Sequence, residues 1–125
     1  MNKLVKVAMK ARKNAYAPYS RFKVGAALET MSGRIYTGCN VENCAYGPTV
    51  CAERVAILKA VSEGERKFKA IATVTSAKRP SPSCGVCLQV MSEFAPRLKI
   101  YMANTAGKVV TTTLPKLLPQ PFRLR

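Results

Sequence analysis

Apolar residues recur every three to four positions over residues 3 to 15. Leu4, Ala8, Ala11 and Ala15 form one stripe with Lys and Arg on the other faces, a spacing that predicts an amphipathic helix. Tyr16-Ala17-Pro18-Tyr19-Ser20 ends it. Phe22 to Leu28 and Arg34 to Cys39 are β-leaning runs joined by Thr30-Met31-Ser32-Gly33, the pattern of a hairpin. Cys39 to Pro48 is polar and rich in turn residues, hence a loop. Thr49 to Glu63 predicts a second helix stopped by Gly64, and Ala70 to Ser76 is a strand rich in β-branched residues. After a loop at Lys78 to Pro82, Ser83 is placed to cap a third helix that runs to about Phe94 and closes at Pro96. Leu98 to Ala103 and Lys108 to Thr112 form a final strand pair around Asn104-Thr105-Ala106-Gly107. The Pro-rich tail, Leu114 to Arg125, is expected to lie extended. The order α-β-β-α-β-α-β-β, without repeats or linkers, predicts one mixed sheet covered by helices.

Composition narrows the chemistry. The 125 residues fit one domain. They include no His, Asp or Trp, and all six acidic residues are Glu. Without an imidazole, Ser-His-Asp and Cys-His catalysis are excluded, as is His-liganded zinc. A formal charge of +15 favours polyanions, so a nucleic-acid face stays open beside a generally basic surface, because the cations are scattered along the chain. No segment approaches the roughly 18 apolar residues of a membrane span. Lys interrupts the first sixteen residues too often for a secretory signal. The expected location is therefore the cytoplasm, where five cysteines serve as thiols or metal ligands rather than disulfides.

Cys84-Gly85-Val86-Cys87 is a C-x-x-C at a predicted helix start, which alone is shared by redox motifs, half zinc ribbons and chance. Cys51 also falls in the first turn of a helix, followed by Ala52 and Glu53. Two helix N-termini aimed at one point would supply three thiolates and stabilise their charge. Three protein ligands leave a fourth tetrahedral position for water, the arrangement of a catalytic zinc. Glu53, two residues past a ligand, is placed to move that water's proton. Arg54 shares the apolar stripe of its helix, which suits a cation partnering the thiolates; the plainer alternative is an Arg at the stripe's edge reaching solvent.

These motifs together resemble the cytidine deaminase family. The resemblance lies in Thr49-Val50-Cys51-Ala52-Glu53-Arg54-Val55-Ala56, in Cys84-Gly85-Val86-Cys87-Leu88-Gln89-Val90 and in Tyr16 to Ala27. It extends to Asn40-Val41-Glu42-Asn43 and to Leu117-Leu118-Pro119 with Phe122, so that it covers nearly the whole chain. It implies a single-domain three-layer α/β/α fold over residues 1 to 125, with a mixed five-stranded sheet. It implies zinc-dependent hydrolytic deamination of cytidine and 2′-deoxycytidine, with Cys51, Cys84 and Cys87 on Zn²⁺ and Glu53 as the proton shuttle. Asn40 and Glu42 would hold the ribose hydroxyls, Phe22 the pyrimidine ring and the Ala52 backbone the base. Short members of the family are homotetramers with shared sites, in which Phe122 would reach a neighbour's pocket.

Plainer roles remain open at this stage: core for Phe22, a turn for Asn40, and small buried residues for Cys39 and Cys44. Two positions depart from the family pattern. Ser83 stands where Pro usually precedes the C-x-x-C, and Leu88 stands where Arg often follows it. Competing functions are deamination of a modified, blasticidin-type aminonucleoside or of cytosine in single-stranded nucleic acid. A non-enzymatic, zinc-structural RNA-binding protein is the other alternative. An intact Asn40-x-Glu42 pair favours a free ribose.

Overall fold

A computed structural model describes residues 2–124. Asn2 caps the first helix, α1 (Lys3–Arg12), its side-chain oxygen accepting from the N–H groups of Leu4 and Val5 at 2.7 and 3.3 Å. Strands β1 (Gly25–Thr30) and β2 (Ile35–Cys39) follow as the predicted hairpin. Its turn closes through Gly33, whose φ of 91° requires a residue without a Cβ. The remaining elements are α2 (Ala52–Ser62), β3 (Phe68–Thr75), α3 (Gly85–Phe94), β4 (Lys99–Asn104), β5 (Val109–Thr113) and a short α4 (Leu114–Leu117).

The five strands form one sheet in the order β2-β1-β3-β4-β5, in which only β3 and β4 run parallel. Alternation along the strands divides the core between two faces. On one face Leu4, Val5 and Ala8 of α1 pack against Ala27, Ala70, Ala72, Val74 and Ala103. On the other, Ala56 and Ile57 of α2 and Cys87, Leu88 and Met91 of α3 cover Ala26, Leu28, Ile71 and Ile100. Helix, sheet and helix are thus the three predicted layers, and the mixed five-stranded sheet is as expected.

Three local expectations are corrected. The second helix starts at Ala52 rather than Thr49, because Val50 forms a β-bridge with Val41 and Cys51 keeps an extended backbone. Ser83 does not cap α3. Cys84 is the N-cap residue, also extended, with no side-chain capping bond. The tail is not extended throughout: Leu114 is buried and its N–H bonds to Leu98 O, which with Pro near the helix start turns Leu114 to Leu117 into α4. Among the described residues no helix is long and apolar enough to cross a membrane.

Gly38 fixes how closely α2 approaches the sheet. A Cβ there would lie 2.3 Å from the Ala52 carbonyl oxygen and 2.7 Å from the Ala56 nitrogen, so only glycine lets the first turn of α2 rest on β2.

Candidate metal centre and adjoining cavity

The extended residues before α2 and α3 bring two thiols to the N-termini of two helices, where unpaired N–H groups and the helix dipoles favour negative charge. Cys51 Sγ lies 3.8 Å from Cys84 Sγ, Cys84 Sγ lies 3.6 Å from Cys87 Sγ, and all three fall within 4.8 Å of one another. Four ligands at the Zn–S distance of about 2.3 Å on a tetrahedron are separated by roughly 3.8 Å. The donor set and its spacing therefore fit a tetrahedral zinc with three protein ligands. The Cys51 thiol is pulled down to about 5, first by its interaction with Cys87 and then by Arg54 and Cys84, against the opposing effect of burial. Cys87 is pushed up, mainly by its interaction with the neighbouring Cys51 sulfur and by burial. These interactions favour the thiolate at Cys51, the form in which a cysteine binds a metal.

Arg54 is half-buried and turns its guanidinium toward the thiols. Its Nη2 contacts Cys51 Sγ at 3.7 Å and the Thr49 carbonyl at 3.4 Å, and its Nε is buried without a partner. The Cys51 contact raises its pKa further, so the charge is permanent.

Beside the thiols opens a cavity of about 280 Å³, lined by Phe22, Asn40, Glu42, Cys51, Ala52, Glu53, Ser83 and Cys84 together with Thr73 on β3. Glu53 is buried in its wall. Burial pushes its carboxyl up, as does the charge on Cys51, while the Ser83 hydroxyl, a backbone N–H and Arg54 oppose this. Raising the pKa of a carboxyl makes its carboxylate a stronger base, the sense of shift that suits a group that takes up and returns a proton.

The opposite wall is built on a hydrogen-bonded loop. Asn40 Oδ1 accepts from Val24 N and its Nδ2 donates to Phe22 O, both at 2.8 Å. Arg21 has a φ of 59°, unusual for a residue with a side chain, and directs the chain into this turn. Glu42 accepts from the Tyr19 and Ser20 N–H groups at 3.0 and 3.1 Å and from the Ser20 hydroxyl. The hydroxyl and those N–H groups hold its carboxyl below the usual range. Phe22, 38% exposed, lines the cavity rather than the core.

Phe122 lies away from this cavity. It is 71% exposed, and its backbone is held by Gln89, which accepts from Phe122 N and donates to Phe122 O, each at 3.0 Å. Cys39 is half-buried and Cys44 exposed, which corrects the expectation that both are buried. Sequence reasoning missed Ser20, whose hydroxyl orients Glu42, and Gln89. Both lie inside the motifs quoted above, but their roles arise from contacts 22 and 33 residues away.

Fold and site together define an α/β metalloprotein with a three-thiolate zinc centre beside a buried carboxylate. A family model of the cytidine and deoxycytidylate deaminase zinc-binding region matches residues 1–103. The chain is 51% identical to a cytidine deaminase of Halalkalibacterium halodurans over 120 residues, covering 95% of this chain and 91% of that protein. It is 50% identical to the enzyme of the same name from Sporosarcina psychrophila over 123 residues, covering 98% and 90%. A 1.6 Å crystal structure of cytidine deaminase from Burkholderia pseudomallei superposes with a TM-score of 0.93 at 46% identity, covering 98% of this chain and all (100%) of that one. The chain belongs to the cytidine deaminase family, and its cofactor is zinc.

Proposed function

We propose that the protein hydrolyses cytidine and 2′-deoxycytidine to the corresponding uridines with release of ammonia, in the cytoplasm and as one domain spanning residues 1 to 125. The observation that carries this reading is the buried Glu53 carboxyl in the wall of a nucleoside-sized cavity, next to three clustered thiols. Cys51, Cys84 and Cys87 would hold the zinc, which when bound supplies the Lewis acidity that makes water a nucleophile near neutral pH. Glu53 takes a proton from the water that adds to C4 of the base and delivers it to N3. It then carries the second proton to the departing amino group, which leaves as ammonia. Arg54 compensates the thiolate charge, and the first turn of α2, at Ala52, faces the base.

Asn40 and Glu42 are the ribose ligands in this reading. Their bonds to Phe22, Val24, Tyr19 and Ser20 fix their orientation. Asn40 Nδ2 still has a second hydrogen, and the carboxylate accepts at about four positions, so both can engage hydroxyls. A nucleotide within a chain lacks a free 3′-hydroxyl, and its phosphate would be repelled by Glu42. This favours a free nucleoside over nucleic acid. Phe122, held by Gln89 away from its own cavity, supports a homotetramer in which it covers a neighbour's substrate.

The test is ammonia release from cytidine, with zinc determined on the same sample and Glu53→Ala alongside. The variant is expected to retain zinc and lose about 10²- to 10⁴-fold in turnover. A zinc-loaded wild-type protein that leaves cytidine intact would refute the reading.

A further inference from the structure

Four buried side-chain atoms among the described residues have no hydrogen-bond partner: Tyr36 Oη, Arg54 Nε, Thr73 Oγ1 and Ser83 Oγ. Buried polar groups are nearly always paired, so an orphan in a cavity wall marks where a partner arrives during function. Thr73 and Ser83 line the cavity in whose wall Glu53 is buried, and of these two Ser83 stands directly before Cys84, at the thiol end of that cavity. The sequence offers Ser83 a different task, capping α3, which it does not perform. Its hydroxyl is therefore buried, uncommitted and in the same cavity as that cavity's one buried carboxylate, Glu53. Catalytic hydrogen bonds are commonly loose in the free enzyme and tighten when substrate fills the site.

We propose that Ser83 is a positioning residue for Glu53: in the substrate-loaded cavity its hydroxyl donates to the Glu53 carboxylate and holds it in the orientation that proton transfer to N3 requires. The proposal rests on the deaminase reading above. Ser83 itself neither gains nor loses a proton, and all proton movement stays between water, Glu53 and the base. A carboxylate with this donor has one fewer orientation to search when it receives and returns a proton.

The experiment compares Ser83→Ala and Ser83→Thr with the wild type, measuring kcat and KM for cytidine, zinc content and melting temperature on the same samples. A lost bond to a charged group predicts that Ser83→Ala lowers kcat about ten- to a hundredfold, with KM within about twofold and zinc retained. Ser83→Thr, which keeps the hydroxyl, recovers most of the loss. If Ser83→Ala does not fold, Ser83→Cys, of similar shape and with a weak donor, takes its place in the same comparison. An unchanged kcat, a change confined to KM, or a kcat loss that follows zinc loss overturns the proposal. A zinc-loaded wild type without turnover overturns the deaminase reading and this proposal with it. Wild-type activity that survives in Ser83→Ala overturns this proposal alone.

Discussion

Gly38→Ala isolates how the sheet places the metal centre. The new Cβ would lie 2.3 Å from the Ala52 carbonyl oxygen and 2.7 Å from the Ala56 nitrogen, where ordinary contacts begin at 3.4 Å. Both contacts are backbone, so no side chain can rotate away, and α2 must retreat by about 1 Å at its first turn. That turn carries Cys51, Ala52 and Glu53. Overpacking of this kind costs about 1 to 3 kcal/mol of stability. A displacement of about 1 Å in catalytic geometry costs on the order of 10²-fold in rate. Gly25→Ala provides the comparison, since its Cβ would lie 2.1 Å from the Ala8 carbonyl oxygen and 2.6 Å from the Arg12 nitrogen, forcing α1 away on the opposite face. Both variants should melt earlier, by about 5 °C for each kcal/mol lost in a domain of this size. The assay is kcat/KM for cytidine per folded, zinc-loaded molecule. Gly38→Ala is expected to fall about a hundredfold and Gly25→Ala by no more than a few-fold. Equal losses in the two variants, or wild-type kcat/KM in a stably folded Gly38→Ala, would refute the argument that the close approach at Gly38 sets the catalytic geometry.

Two further outcomes follow from the walls of the cavity. The Ser20 hydroxyl and the N–H groups of Ser20 and Tyr19 depress the Glu42 carboxyl, so its charge, and the loop it holds, persist above the ordinary Glu value of about 4.3 and are lost only as pH falls through the depressed value. KM for cytidine should thus stay flat from pH 8 to about 5, and Ser20→Ala should move its acidic rise to higher pH; coincident KM–pH profiles of the two proteins would contradict this. Gln89 makes both backbone hydrogen bonds to Phe122, so Gln89→Ala, or removal of Pro121 to Arg125, should impair turnover more than thermal stability. Sedimentation velocity on the same samples separates a lost neighbour contact from a lost assembly, and unchanged turnover in the truncated protein counts against the shared site.

The elements of this fold are legible in the sequence wherever periodicity is strong. The stripe of Leu4 and Ala8, the β-branched run from Ala70 to Ser76 and the segment closed by Pro96 each become the expected element, the strand running from Phe68 to Thr75. Their ends are less legible, because tertiary bonds decide them. The bridge of Val41 to Val50 shortens α2, and the bond of Leu114 N to Leu98 O ends the strand pair in a four-residue helix too short for any period to reveal. The clustering of Cys51, Cys84 and Cys87 was readable because two helix N-termini carry them. The requirement for glycine at position 38 was not, since Gly in a strand signals weakness until the backbone of α2 is seen lying against it. The orphan hydroxyl of Ser83 is of the same kind: serine before a helix reads as a cap, and only packing shows the cap position occupied by Cys84.

The charge of +15 bears on the site less than its size suggests. A nucleoside is neutral, so long-range steering offers it nothing. Exposed cations farther from the thiols than a Debye length, about 8 Å at physiological salt, are largely screened. What favours the thiolate at Cys51 is local: the thiol of Cys87, the guanidinium of Arg54 at 3.7 Å, and the opening turns of two helices. Leu88, in the position where the family often has Arg, is buried in the core and brings no charge. Among the described residues Arg54 is the cation that contacts the cluster, so neutralising it should disturb the thiols more than removing several scattered lysines. The surplus of surface charge therefore takes no direct part in the chemistry at C4 of the base.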